Sequence, residues 1–102
     1  MSSLAKLLKW VTFLYEAFLA IPFVGGIFVV ANGWTPLGIA FLLHAVTVIV
    51  MMKERGPFVG NALGVITSVV ALIPVVGWIM HGITAICLFV ESVIVSQRTR
   101  RY

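Results

Sequence analysis

The chain has 102 residues, of which 62% are hydrophobic and only 10% are charged. A soluble domain usually carries about 25% charged residues, and short chains bury a smaller fraction of their surface than long ones. The composition therefore argues against a water-soluble domain and predicts one integral membrane domain over residues 1–102, with the lipid bilayer as its first partner.

Four apolar segments follow one another along the chain, and each is predicted to form a short transmembrane helix. They cover residues 4–21, 37–52, 57–73 and 75–95. At 1.5 Å per residue they reach roughly 24–32 Å, against a hydrocarbon core of about 30 Å. Pro and Gly separate them, because Pro cannot continue a helix and Gly permits a turn.

The basic residues predict how these helices cross the membrane. They form three clusters, which are Lys6 with Lys9, Lys53 with Arg55, and Arg98, Arg100 and Arg101 in a basic tail over residues 96–102. Cytoplasmic loops carry an excess of Lys and Arg, so an even number of crossings should separate the clusters. We therefore expect four crossings in the plasma membrane, with both termini cytoplasmic, and no nucleic-acid binding despite the net charge of +4.

The sequence also contains two similar halves, which predict a tandem duplication of one helical hairpin. Residues 21–25 resemble residues 73–77, and residues 41–47 resemble residues 78–84. The two matches lie at different offsets, and an outer insertion over residues 26–40 accounts for the difference. The predicted repeats run over about residues 4–54 and 57–95, as parallel repeats with one shared orientation.

Three ionisable residues lie inside the predicted spans, where such groups are expensive and suggest function. Counted from the outer helix ends, Glu16, His44 and His81 lie roughly 6–11 Å deep, and Thr67 and Ser68 fall at the same depth. A glutamate that faces two histidines could relay protons or bind a cation. The alternative is that these groups satisfy one another through interhelical hydrogen bonds.

Cofactor and enzyme chemistry have weaker support in the sequence. Haem iron accepts axial imidazoles, so His44 and His81 could ligate haem if their rings faced each other across a slot. Zinc usually requires three or four ligands, and the chain has neither an HExxH motif nor a Gly-rich phosphate loop. It also has no aspartate for a Ser-His-Asp set. We expect no enzyme, no metal and no cofactor, with haem as an alternative.

Small residues predict where helices approach closely. Gly56, Gly60, Gly64 and Ser68 recur every fourth residue along the third predicted helix, and such a stripe lets backbones pack tightly. It could serve the bundle itself or a homodimer. Asn61 beside the stripe could add a hydrogen bond across it.

The leading functional hypothesis is a non-enzymatic accessory or interaction subunit that binds a larger membrane protein or further copies of itself. The first alternative is an oligomeric proton- or cation-coupled transporter or channel that uses the Glu16, His44 and His81 layer. The second alternative, besides a haem protein, is a holin-like pore with the basic tail as its C-terminus.

Overall fold

A computed structural model describes residues 2–97, in which every regular element is an α-helix. The five helices are α1 (Ser3–Leu19), α2 (Val24–Ala31), α3 (Thr35–Lys53), α4 (Val59–Val70) and α5 (Pro74–Gln97). All but the first two residues of the predicted basic tail fall outside the described range. The helical class predicted from the composition is therefore confirmed.

Local sequence explains several helix ends. Ser2 caps α1, because its side chain accepts a hydrogen bond from the amide of Ala5 at 3.1 Å. Helix α3 has Pro36 in its first turn and α5 begins at Pro74, positions where a missing amide proton costs nothing. Pro22 follows α1 in the opposite role, since it cannot continue the helix.

Helices α1, α3, α4 and α5 form a closed bundle in which α1 and α4 each pack against both α3 and α5. Neighbouring helices run antiparallel. Trp10 Nε1 in the first half of α1 donates to Ser96 Oγ near the end of α5 at 2.7 Å, and Trp78 Nε1 near the start of α5 donates to the carbonyl of Ala20 at 2.8 Å. Ser2 likewise bonds Glu54 beyond the end of α3. The described ends of the chain and the α3–α4 loop therefore share one end of the bundle.

The bundle buries polar residues and exposes apolar ones. The buried positions of α1 are Ala5, Lys9, Thr12, Glu16 and Leu19, which share one face because they are three or four residues apart. Large apolar residues of the same helix, such as Leu7 and Leu14, are about 60% exposed. A helix in a soluble bundle shows the reverse pattern.

Small apolar layers close both ends of this polar interior. At the end that holds the described termini, Ala5, Met51 and Val95 pack together. At the other end the apolar layer contains Leu19, Val29, Leu37 and Ala71. The buried polar residues lie between these two layers.

Two to three stretches meet the length and hydropathy expected of a membrane span. Helix α3 and the Val75–Gln97 part of α5 qualify alone, and α1 with α2 qualifies as a pair bent by 97°. Helix α4 is apolar but has only 12 residues, or about 18 Å. The predicted third span, residues 57–73, is thus helical over a shorter stretch than expected.

The predicted outer insertion, residues 26–40, is largely helical. It contains most of α2 and the first residues of α3, joined by a turn in which Gly33 and Trp34 have φ near +60°. Gly25 makes the elbow between α1 and α2 tight, since a Cβ added there would collide with the backbone of Leu19. The second predicted span therefore begins at Thr35 instead of residue 37.

A buried polar network as the candidate functional site

Glu16 lies at the centre of the bundle and joins three helices. Its side chain is fully buried. One carboxylate oxygen lies 3.0 Å from Nε2 of His44 on α3, and the other lies 2.6 Å from Nδ1 of His81 on α5. The structure thus brings together the three ionisable residues that depth counting had placed in one layer.

Helix α4 holds His44 from the opposite side. The side-chain nitrogen of Asn61 lies 3.0 Å from His44 Nδ1 and donates to Thr12 Oγ1 at 3.1 Å. The imidazole also packs directly on Gly64, where an added Cβ would collide with the ring. Gly64 therefore provides the space that His44 needs to reach Glu16.

Lys9 extends the network toward the end of the bundle that holds the described termini. It is fully buried, donates to Asn61 Oδ1 at 2.7 Å and forms an ion pair with Glu91. The other Glu91 oxygen accepts the amide of Gly60 at 2.9 Å. Lys9 does not add an exposed charge to the predicted cluster with Lys6, because its side chain turns into the bundle. Its seven-residue spacing from Glu16, which puts both on one helix face, was the available signal.

The donors and acceptors in this network can be assigned by elimination. A lysine ammonium only donates, so Asn61 must present its oxygen to Lys9 and its NH₂ group to His44. His44 Nδ1 then accepts, and the neutral ring carries its proton on Nε2, where it donates to Glu16. The remaining contact, between Glu16 and His81, can share one further proton.

His81 connects the network to a cavity at the other end of the bundle. The cavity has a volume of about 510 Å³. Among residues 2–97, His81 is the one ionisable residue that lines it, together with apolar residues and glycines that include Leu19, Phe23, Ile27, Val30, Trp34 and Trp78. The hydrogen bond of His81 within the described residues is made through Nδ1, which leaves Nε2 as the second ring nitrogen. This nitrogen is therefore available to a molecule in the cavity.

The other predicted site residues have local partners. Thr67 on α4 and Thr84 on α5 share a hydrogen bond of 2.8 Å, and Ser68 donates to the carbonyl of Gly64 at 2.8 Å. Among the described residues, neither Thr67 nor Ser68 has a hydrogen bond to Glu16. Both instead support α4, Thr67 by joining it to α5.

The predicted glycine stripe is used inside the bundle where it lies on α4. A Cβ on Gly60 would come 2.8 Å from Glu91 Oε1, and Gly64 packs on His44. Gly56 lies in the α3–α4 loop, outside the helix on which the stripe was predicted, because α4 begins only at Val59. The stripe residues on the helix therefore face internal partners.

The geometry does not favour a metal or haem centre. Within residues 2–97, no group of three or more His, Cys, Asp or Glu side chains could hold a metal ion. Both ring nitrogens of His44 are already in hydrogen bonds, which leaves none for iron. The two imidazoles converge on one carboxylate instead of facing each other across a slot.

Comparison with known proteins adds no relative to these observations: no family model, no curated protein and no solved structure matches the chain. Its function must be argued from the contacts of its own residues.

Proposed function

We propose that the chain is a multi-pass membrane protein in which α1, α3, α4 and α5 each cross the bilayer. The exposed apolar faces and buried polar core support lipid as the solvent. The longest dimension, 43 Å, equals the thickness of a bilayer with its headgroups, about 40–45 Å. Helix α4 would need its flanking residues, or local thinning of the bilayer, to complete its crossing.

The orientation that we propose has the described termini and the α3–α4 loop in the cytoplasm, at the plasma membrane. Lys53 and Arg55 are exposed at that end of the bundle, and basic residues favour the cytoplasmic side. The α1–α2 elbow and the α4–α5 turn would then lie on the outer side, together with the cavity.

We also propose that the two halves arose by tandem duplication, with residues 26–40 inserted in the first. Similar turns support this. The amide of Gly25 bonds the carbonyl of Ile21 at 3.1 Å, and that of Gly77 bonds Ile73 at 2.7 Å. In both turns an added Cβ would collide with the residue six positions earlier, Leu19 or Ala71. His44 and His81, which the repeats place in corresponding positions, bind the two oxygens of the same carboxylate.

We infer that the protein takes up and releases protons at Glu16, His44 and His81, and couples this to transport across the membrane. The single observation that carries the proposal is a fully buried carboxylate that contacts imidazoles from two other helices. Histidine is the side chain whose unperturbed pKa lies nearest physiological pH. Buried ionisable groups in membrane spans typically mark proton or ion pathways.

Asn61 provides a mechanism of coupling. A second proton on His44 would convert Nδ1 from an acceptor to a donor that points at the NH₂ group of Asn61. The amide would have to turn its oxygen to His44, which would place its NH₂ group against the ammonium of Lys9. Lys9 would lose an acceptor and its pairing with Glu91 would change. Protonation of His44 in the middle of the bundle would thereby alter the contacts of Lys9, nearer the proposed inner end.

The test is proton flux in liposomes that contain the purified protein and a pH-sensitive dye. We expect wild-type protein to conduct protons and Glu16→Gln to lose this activity, because Gln is similar in shape but does not titrate. Glu54→Gln removes a carboxylate outside the layer and should keep the flux. Matching thermal unfolding profiles would show that the variants fold. Equal flux in Glu16→Gln and wild type would contradict the proposal.

An accessory subunit is the second candidate, and one observation favours it. The polar groups from Lys9 through Asn61 and His44 to Glu16 all find partners within the chain, and a satisfied network can serve only to fix helix order. A partner that co-purifies equally with wild type and Glu16→Gln, without proton flux in either, would support this candidate.

A further inference from the structure

The cavity above His81 has the size and lining of a small-molecule site. Its volume of about 510 Å³ falls within the range of about 300–1,000 Å³ typical of ligand pockets, which are mostly apolar with a few polar groups. Helix α2 forms one wall, because the 97° bend after α1 folds it back over the bundle. The opposite wall comes from the start of α5, including Trp78.

His81 presents one polar atom to this space. Its side chain is 5% exposed, its Nδ1 contacts Glu16, and its Nε2 has no partner among residues 2–97. A ring nitrogen at the cavity wall can form a hydrogen bond with an occupant of the cavity. The cavity therefore favours an occupant that supplies a complementary polar atom at one point and apolar surface elsewhere.

The balance of charges around Glu16 determines whether His81 Nε2 acts as a donor or an acceptor toward the cavity. In the arrangement with Asn61 as donor to Nδ1, His44 is neutral, so an ionised Glu16 leaves the layer with a net negative charge unless His81 carries a second proton. A buried charge is tolerated only when it is compensated. A protonated His81 balances Glu16 and carries a proton on Nε2, which turns the nitrogen that faces the cavity into a donor.

We propose that the cavity binds a lipid-soluble, largely apolar molecule with one carbonyl oxygen, which accepts a hydrogen bond from His81 Nε2. Entry from the bilayer is open, because Phe23 and Ile27 at the cavity wall are 85% and 67% exposed. A lipid acyl chain could fill the same volume but would leave Nε2 unpaired. This site goes beyond the proposed proton coupling and needs no transport to be occupied.

A matched pair of probes tests the proposal. 9-Fluorenone and fluorene have nearly the same shape, and only fluorenone has a carbonyl. The protein has two histidines, so ¹⁵N-histidine labelling in lipid nanodiscs gives two rings to assign. After correction for partition into lipid, we expect fluorenone to bind about tenfold more tightly than fluorene, as a hydrogen bond of about 1.4 kcal/mol implies, and to shift His81 Nε2.

Two variants separate the cavity from general effects on the protein. A side chain at Gly26 would enter open space at the cavity wall, so Gly26→Phe should fill the cavity and abolish fluorenone binding. Gly38 also has open space but does not line the cavity, so Gly38→Phe should bind as wild type. Equal binding of the two probes, which would indicate acyl-chain filling only, would overturn the proposal. Unchanged binding in Gly26→Phe, or no fluorenone binding at all, would also overturn it.

Discussion

Gly64 shows how one absent methyl group sets the geometry of the site. Because the ring of His44 occupies the space of a Cβ at this position, we expect Gly64→Ala to displace the ring from Glu16. The change should lower the free energy of unfolding by about 1–3 kcal/mol, the usual cost of overpacking. Thermal unfolding in detergent, together with the NMR signals of His44, measures both effects.

Gly38→Ala is the matched control for this change, since no atom lies within 4 Å of a Cβ added there. It should unfold at the wild-type temperature or slightly above, because Ala is the better helix former. If the two variants behaved alike, His44 would not pack on α4 in the way described.

Asn61 is expected to matter more than its size suggests, because it bonds Lys9, Thr12 and His44 at once. Asn61→Leu would leave buried donors and acceptors unpaired, so the free energy of unfolding should fall by about 1–3 kcal/mol. Ser92 offers the contrast, since its buried hydroxyl has no partner in the described part of the chain. Ser92→Ala should cost little or nothing. Similar losses in both variants, measured by thermal unfolding, would argue against a cooperative network.

The residues of the site were partly predictable from sequence. The constant rise of a helix places Glu16, His44 and His81 at similar depths, whatever the details of packing. Lys9 was not predicted, because a charge near a terminus is usually solvated, although its spacing from Glu16 puts both residues on one face of α1. The role of Asn61 as the link between two charged groups depends on side-chain contacts between three helices, and no spacing in the sequence encodes them.

The elbow between α1 and α2 is the most sharply defined connection between elements. A Cβ on Gly25 would collide with the backbone of Leu19, whereas one on the neighbouring Gly26 would meet nothing within 4 Å. We expect Gly25→Ala to open the elbow and destabilise the fold by about 1–3 kcal/mol, and Gly26→Ala to have little effect. Fluorescence of Trp34 and thermal unfolding would report the difference. Equal behaviour of these adjacent variants would show that the elbow is not tightly packed.

The hydrogen bonds between Ser2 and Glu54 should make the contact between the start of α1 and the end of α3 pH-dependent. Hydrogen bonds from the hydroxyl and amide of Ser2, at 2.5 and 2.8 Å, hold the pKa of Glu54 below its ordinary value. A lowered carboxylate pKa stabilises the folded contact above the unfolded pKa, and this stabilisation is lost as pH falls through the folded pKa. The amide signal of Ser2 should therefore shift with a midpoint below the ordinary pKa of a glutamate, and Glu54→Gln should remove that transition. A transition that persists in Glu54→Gln would assign it to another group.

At the scale of elements, the sequence predicts where helices end more accurately than how long they are. Pro22, Gly33 and Pro74 all lie at helix ends or turns, because their backbone limits act locally. Helix α2 was not expected, since its two glycines favour a loop and its order depends on packing against α1, α3 and α5. The short length of α4 was also missed, because apolar residues continue past both of its ends.

At the scale of the whole molecule, the distribution of polarity is the strongest argument for lipid. Fully buried Lys9, Glu16 and Asn61 at the centre, with apolar residues over the outer surface, would be costly in water on both counts. In a bilayer the same arrangement gives the apolar surface its solvent and leaves the polar groups to bond one another. The composition predicts that apolar residues face lipid, but only the packed bundle reveals that the polar residues form one connected network.

The direction of threading can be measured with single cysteines in a Cys87→Ala background. Glu54→Cys probes the α3–α4 loop and leaves all the basic residues in place, and acidic residues contribute little to topology. Asn32→Cys probes the α2–α3 turn at the opposite end. We expect a membrane-impermeant maleimide to label Asn32→Cys in intact cells and Glu54→Cys only after permeabilisation. The reverse labelling pattern would indicate the opposite orientation, with the cavity on the cytoplasmic side. Labelling of both in intact cells would contradict a single transmembrane orientation, because the two positions lie at opposite ends of the bundle.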